Sequence, residues 1–420
     1  MIGYKWLKVE KRKKIKKLRL TNYVKVLGLS YEPSLFIENG VIKLIEQKED
    51  LNQFSDFTAL DVNNCIVAPG FIDPQVNGLN NCTFWMDKLP SFNDIDNLRL
   101  ELALKGVVAF CPTIITARED KVLKTIDYLN SYIKQSQDEH GARILGIHLE
   151  GIFITKFGVH DSKYVNSELT IKSVEPYIKE NVILFTLAPE LDLTGKAIKF
   201  LQKNNILVSI GHSNASYRQG EIAIKEHGLR TVTHMFNALK GVEGFSHRDG
   251  ENNSKNLETL KLKIEDEKKI RPDSDGIILS ILRNKDVLCM VIADGVHVSP
   301  EVLGLLKQYK DKAHFALASD IVQNEFYNLS KSKGTLGGGQ ITLDKMSATN
   351  LYNKYFLPDS LNWNCQTSVS NDTNSTICKT TNGKIATGIN TLNVPSSNLP
   401  QQLILTTVIA CENHAEDNLC

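Results

Sequence analysis

The sequence predicts an α/β fold, a (β/α)8 TIM-like barrel joined to a smaller β unit. Three observations predict it. Apolar runs of strand length recur eight times between residues 66 and 320. Most gaps between them repeat apolar residues at helical spacing, and the stretch ahead of them alternates apolar and polar residues between turn signals. The eight runs are 66–76, 106–116, 143–151, 182–191, 206–213, 230–238, 287–297 and 314–320, and helical periodicity fills 94–105, 119–134, 196–204, 217–227 and 300–310. Strands alternating with helices close as a parallel barrel, whose chemistry sits on the loops after the strands.

Taken in order, residues 1–20 form a basic tail containing Lys11-Arg12-Lys13-Lys14-Ile15-Lys16-Lys17. No apolar segment follows it as a secretory signal requires. The run reads as a solvated tail, with a nuclear address or an RNA-binding arm as the sharper alternative. Residues 21–67, broken by Asn39-Gly40, predict the hairpins of a small β domain. Residues 68–345 carry the barrel. The gap 240–285 is rich in Lys, Glu, Asp and Asn and predicts an active-site loop with a solvated insertion. Periodicity fades after Asp320. Residues 346–420 are expected to be divergent and partly disordered, because 358–400 hold many Asn, Ser and Thr and few apolar anchors.

With 420 residues and 42% hydrophobic composition, the chain has material for one large domain and a small one. A net charge of +1 provides no global field for nucleic acid or a membrane surface, and no apolar stretch approaches spanning length. The eight cysteines lack paired metal spacing, and Cys65, Cys111 and Cys289 lie in or beside strand-like runs. They read as buried reduced thiols, and the expected location is the cytoplasm.

Glu150, His212 and His234 each sit at the C-terminal end of a predicted strand, the third, fifth and sixth. Singly, each reads as a hydrogen-bonded core residue. Three in step with the barrel period read instead as ligands of one divalent ion, with a coordination position left open for water. Zinc is the default; affinity order and cellular supply leave iron and cobalt as alternatives. Gln75 and Asn77 stand after the first strand, where a dinuclear hydrolase would supply a His-x-His pair, and the fourth run has no lysine for a bridging carbamate. Carboxamides are poor ligands for a transition metal. The prediction is a mononuclear site, with Gln75 and Asn77 supporting the ligands or holding water. Asp320 ends the eighth strand and reads as the general acid/base, or as a helix N-cap. His160, His297 and Arg248 lie on mouth loops, as an imidazole donor to an oxyanion and as groups for a phosphate, or as solvated side chains. The glycine run 334–339 reads either as backbone that approaches a ligand closely or as a linker.

Several segments carry a resemblance: Ala68-Pro69-Gly70-Phe71-Ile72-Asp73, Gln75-x-Asn77-Gly78, Pro112-Thr113, His148-Leu149-Glu150-Gly151, Leu187-Ala188-Pro189-Glu190, Gly211-His212-Ser213, Thr233-His234-x-Phe236-Asn237-Ala238 and Ile292-Ala293-Asp294-Gly295-x-His297. In this order they resemble the N-acetylglucosamine-6-phosphate deacetylases of the amidohydrolase superfamily, over about residues 21–343. The resemblance implies a metal on Glu150, His212 and His234, and Asp320 as the catalytic aspartate. It places His160 beside the reacting carbonyl, Asn237, Ala238 and His297 on the sugar phosphate, and Leu336, Gly337 and Gly338 along the substrate loop. It gives Arg248 a phosphate contact across a homodimer interface. The implied reaction is hydrolysis of the acetamide of N-acetyl-D-glucosamine 6-phosphate to D-glucosamine 6-phosphate and acetate. It also implies that the small β unit is a β-sandwich completed by the C-terminal segment.

Some positions depart from the family pattern. Ile152 replaces the proline after the Glu-Gly pair and predicts a less rigid loop behind Glu150. Ile321 is bulkier than the small residue that usually follows the aspartate, and Gly339 lacks a hydroxyl. The family's closing elements are not evident beyond residue 345, which predicts an incomplete sandwich with an unpaired sheet edge. Two alternatives follow: a non-catalytic metal-binding module on the same barrel, and a mononuclear amidohydrolase for a different amide.

Overall fold

The computed structural model describes residues 17–321 except 24, 27–33, 39–40, 46–53, 63–65, 80–81, 85–87, 137–140, 159, 242–252, 294–296, 299 and 312, and beyond them 332–336, 339–343, 363–370, 373–380, 385–386 and 407–410. The N-terminal unit contains β1 (Lys17–Thr21), β2 (Lys25–Val26), β3 (Ser34–Glu38), β4 (Val41–Ile45), β5 (Thr58–Asp61) and β6 (Ile66–Pro69). One sheet runs β4-β3-β1-β5, and a second places β6 between β2 and the C-terminal strand Thr407–Ala410. Alternation turns Leu20 and its cross-strand partner Leu35 to one face, where they are buried in a cluster with Val62 and Val67. Residues of both sheets share this core, as in a sandwich. The C-terminal segment contributes a strand to this unit: Thr407–Ala410 runs antiparallel to β6, with Ala410 opposite Ile66. Its short apolar run stands alone beyond a polar stretch, so no periodicity marked it.

The barrel begins with β7 (Phe71–Val76), followed by the short pair β8 (Gly78–Leu79) and β9 (Cys82–Thr83). The other staves are β10 (Val107–Ile114), β11 (Arg143–Ile144) and β12 (Ile147–Glu150) as two parts of one run, β13 (Val182–Leu187), β14 (Leu207–Ile210), β15 (Thr231–Val232), β16 (Leu288–Val291) and β17 (Phe315–Leu317). All pairings between successive staves are parallel. The ring closes past the end of β17, where Ile321 bridges to Val76 and its carbonyl accepts the N–H of Asn77 at 2.9 Å. The predicted run 66–76 is therefore two strands, with Pro69 and Gly70 at the break between β6 and β7, and these fall in different compact units.

Period-two alternation decides which side chains enter the barrel. Ile147 and Leu149 of β12 join the main hydrophobic cluster, as do Phe185, Leu187, Val208 and Ile210. His148, Glu150, Thr186 and Ser209, of the opposite parity, are buried polar groups. They form a belt across the staves: His148 Nε2 lies 2.7 Å from Thr186 Oγ1, which lies 2.7 Å from Thr233 Oγ1, itself 2.7 Å from Ser209 Oγ. Each buried polar atom of the belt thus meets another, as low-dielectric burial requires.

The helices are α1 (Phe92–Leu104), α2 (Glu119–Ser136), α3 (Ile171–Val174), α4 (Lys196–Lys203), α5 (Tyr217–Lys225), α6 (Asn253–Glu265), α7 (Ile277–Arg283) and α8 (Pro300–Tyr309). Ser91 with Asp94 and Ser216 with Gln219 form capping boxes that start α1 and α5. The stretch predicted as a loop with a solvated insertion contains α6 and α7. Residues Ile277 to Leu282 of α7, Ser280 among them, are all buried, so the helix has no solvated face and lacks the amphipathic signal. Trp363–Ser370 and Thr373–Thr380 pair antiparallel within the stretch expected to be partly disordered. Their Thr, Val and Ile residues favour strands despite the polar composition. Among the described residues no helix is long and apolar enough to cross a membrane.

Candidate metal centre

Glu150 is the last residue of β12, His212 lies two residues beyond β14, and His234 two beyond β15. Parallel staves bring these ends to one mouth. The three are 2%, 3% and 1% exposed, so their polar atoms must find partners inside. Glu150 Oε1 lies 2.8 Å from His234 Nε2 and 3.3 Å from His212 Nε2, and the two imidazole nitrogens are 3.1 Å apart. A tetrahedral ion with bonds of about 2.0–2.2 Å spaces its ligand atoms roughly 3.3 Å apart, so the trio fits a divalent cation.

The backbone that carries these three side chains is unusual. Among the described residues, the non-glycine residues with positive φ are three asparagines, then His212 (48°), His234 (31°), Phe236 (75°), Ala238 (48°) and Asp320 (49°). The last five cluster at the mouth, where surrounding structure must hold a left-handed conformation that L-residues avoid. His212 Nδ1 donates to the Lys156 carbonyl at 2.8 Å, which leaves the lone pair on Nε2. Nδ1 of His234 is buried without a hydrogen-bond partner. Gln75 Nε2 donates to Glu150 Oε2 at 2.9 Å, and its Oε1 is buried without a partner. Gln75 therefore stands behind the carboxylate.

Electrostatics separate the two acids. Burial pushes the Glu150 carboxyl up, but His212 and His234 override it and hold it well below the usual range. Asp320 is pushed up to about 7, by burial first and then by the Glu150 charge. A carboxyl titrating near neutrality suits proton transfer in both directions. Asn77 orients it, its Nδ2 donating to Asp320 Oδ1 at 2.5 Å. On the same seam Asp73 accepts the N–H groups of Gln75 and Ser319 through one oxygen.

Thr116, just past β10, lies 2.5 Å from the Gly151 carbonyl and 2.7 Å from His160 Nδ1. Its one hydroxyl proton goes to the carbonyl, so its lone pair receives Nδ1–H of His160. The ring then carries its free lone pair on Nε2. Burial, then His212, pushes His160 down to about 3, so the ring is neutral.

No family model matches the chain. A Danio rerio N-acetylglucosamine-6-phosphate deacetylase is 33% identical over 297 residues, covering 69% of this chain and 66% of that relative. The chain thus spans about two thirds of its length. The structure of the Pasteurella multocida enzyme of that name superposes with a TM-score of 0.60 at 20% identity, covering 78% of this chain and 77% of that one. A mutant of the Mycobacterium smegmatis enzyme of that name, in complex with N-acetyl-D-glucosamine 6-phosphate, gives 0.58 at 19% identity, covering 78% and 75%. The chain is thus similar to N-acetylglucosamine-6-phosphate deacetylases over somewhat less than two thirds of their length.

Asn237 and Ala238 follow His234 in one turn, with Asn237 N–H donating to the His234 carbonyl at 2.9 Å and the Ala238 carbonyl accepting from Ser213 N–H at 3.0 Å. His297 is half-buried, close enough for its charge to act on Asp320. Arg248, Gly337 and Gly338 lie outside the described residues. Leu336 ends the strand Ser332–Leu336, which pairs antiparallel with Gly339–Leu343. Ile152 is buried, and the loop it begins is tied down: Thr155 and Lys156 N–H groups donate to the His212 carbonyl at 3.0 and 2.9 Å. Thr116 and Glu190 were missed. Both follow barrel strands, the second and fourth, and that position was the available signal.

Proposed function

We propose that the chain hydrolyses the acetamide of N-acetyl-D-glucosamine 6-phosphate to D-glucosamine 6-phosphate and acetate, as a cytoplasmic homodimer with one zinc ion per chain. The observation that carries this reading is the convergence of one carboxylate and two imidazole nitrogens, all within 4.8 Å, at the barrel mouth. Glu150, His212 and His234 would hold the ion, which when bound supplies Lewis acidity and acidifies water at its open position. Gln75 fixes Glu150 from behind. Asp320, aimed by Asn77, takes the proton from the attacking water as the C–O bond forms, then gives it to the nitrogen as the C–N bond breaks. His160 presents a lone pair, which suits a substrate N–H or hydroxyl. Asn237, Ala238 and His297 would meet the sugar phosphate, with Arg248 reaching it from a second subunit and residues 336–338 lining the loop. The similarity to the D. rerio relative supports the substrate assignment.

Acetate release from N-acetylglucosamine 6-phosphate and from its unphosphorylated analogue, on protein of known metal content, tests the reading. It predicts turnover that depends on the phosphate. Turnover indifferent to phosphate would indicate another amide, and metal-loaded protein without turnover would indicate a non-catalytic module.

A further inference from the structure

Glu190 touches none of the three ligand atoms, yet it holds the turn that aims one of them. It lies in the short helical turn Pro189–Leu191 after β13. One carboxylate oxygen accepts the Thr155 hydroxyl and, at 2.7 Å, the N–H of Asn214; the other accepts the Ser213 hydroxyl at 2.7 Å. Thr155 belongs to the loop after the third barrel strand, while Ser213 and Asn214 follow His212 directly. The same loop accepts back: Asn214 Nδ2 donates to the Thr155 carbonyl at 2.8 Å. His212 is thus bracketed, its carbonyl bonded to the N–H groups of Thr155 and Lys156 and its Nδ1–H to the Lys156 carbonyl. Its φ of 48° persists only while such contacts over-determine it.

We infer that Glu190 is a positioning residue for the metal ligand His212, clamping the loop after strand three to the turn after strand five so that Nε2 stays on the ion. The carboxylate suits the task because all its partners are donors, and an ionised carboxylate accepts through both oxygens. Glutamine keeps one accepting oxygen and presents an NH2 where acceptance is needed; alanine keeps nothing.

The inference rests on the metal reading, and zinc affinity measured by competition with a chelator, without substrate, separates the two. Support outside the ligand sphere is typically worth roughly 10–100-fold in metal affinity. The expected order is wild type tightest, Glu190→Gln weaker, and Glu190→Ala weaker by roughly 10–100-fold, with excess zinc restoring turnover of Glu190→Gln at unchanged KM. Ser213→Ala, which removes one donor and keeps the carboxylate, should weaken zinc less than Glu190→Gln, and this pair carries the test if Glu190→Ala does not fold. Wild-type affinity in folded Glu190→Gln and Ser213→Ala overturns the inference alone. A wild-type chain that binds no zinc overturns the metal reading, and the inference with it.

Discussion

Gly151→Ala is the most informative single substitution, because the geometry states what the added methyl would meet. Gly151 has φ +89°, and a Cβ there would lie 2.4 Å from His160 Cε1, 2.5 Å from His160 Nδ1 and 2.6 Å from Thr116 Oγ1. The left-handed backbone costs alanine about 1–2 kcal/mol. The overlap must also push the imidazole off Thr116, and losing that buried hydrogen bond costs about 1–3 kcal/mol more. The expected destabilisation is about 2–5 kcal/mol by the sum of these terms. Gly228 supplies the control: its φ is +74° and nothing lies within 4 Å of its Cβ position, so Gly228→Ala should cost only the backbone term. Activity separates them further. A catalytic-site group displaced by about 1 Å costs roughly 10²-fold in rate, so Gly151→Ala should lose about that in kcat/KM while Gly228→Ala loses none. Denaturant unfolding, kcat/KM and metal content on the same preparations decide it. A Gly151→Ala variant that matches Gly228→Ala in stability and turnover would refute the packing of His160 against Thr116 and Gly151.

Other outcomes follow from the same geometry. His212→Ala should fall well below one metal per chain by elemental analysis. Asp320→Asn should keep its metal and lose roughly 10²–10⁴-fold in kcat, the usual worth of general acid/base catalysis. Asp73 is pushed up from 3.8 to about 6 by burial, only partly offset by its Ser319 and Gln75 contacts. Because its folded pKa lies above the unfolded one, it contributes stability fully present below about pH 4 and lost as pH rises through 6, about 3 kcal/mol in all. Asp73→Asn, which keeps the accepting oxygen, should flatten that fall in the pH dependence of unfolding free energy.

What could be read from the sequence was set by how locally each feature is encoded. Strand ends three, five and six carry Glu150, His212 and His234 within short apolar runs, so convergence followed from barrel topology. Period-two alternation in Ile147–Glu150 likewise predicts that His148 and Glu150 face inward together. The misses are non-local. Helix α7 is buried all round and has no polar face to phase it. The strand Thr407–Ala410 depends on pairing with β6, hundreds of residues earlier. The tautomer of His160 turns on where a single threonine proton goes, and the role of Glu190 on which loops meet at its carboxylate; neither has a signature in spacing.

Whether Glu150, His212 and His234 bind one ion is decided by anomalous diffraction from crystals grown with zinc, recorded on both sides of the zinc edge. One anomalous peak per chain is expected, about 2.0–2.2 Å from a Glu150 oxygen and from Nε2 of His212 and His234. A peak held by other residues, a second peak between Gln75 and Asn77, or no peak at the barrel mouth would contradict the assignment.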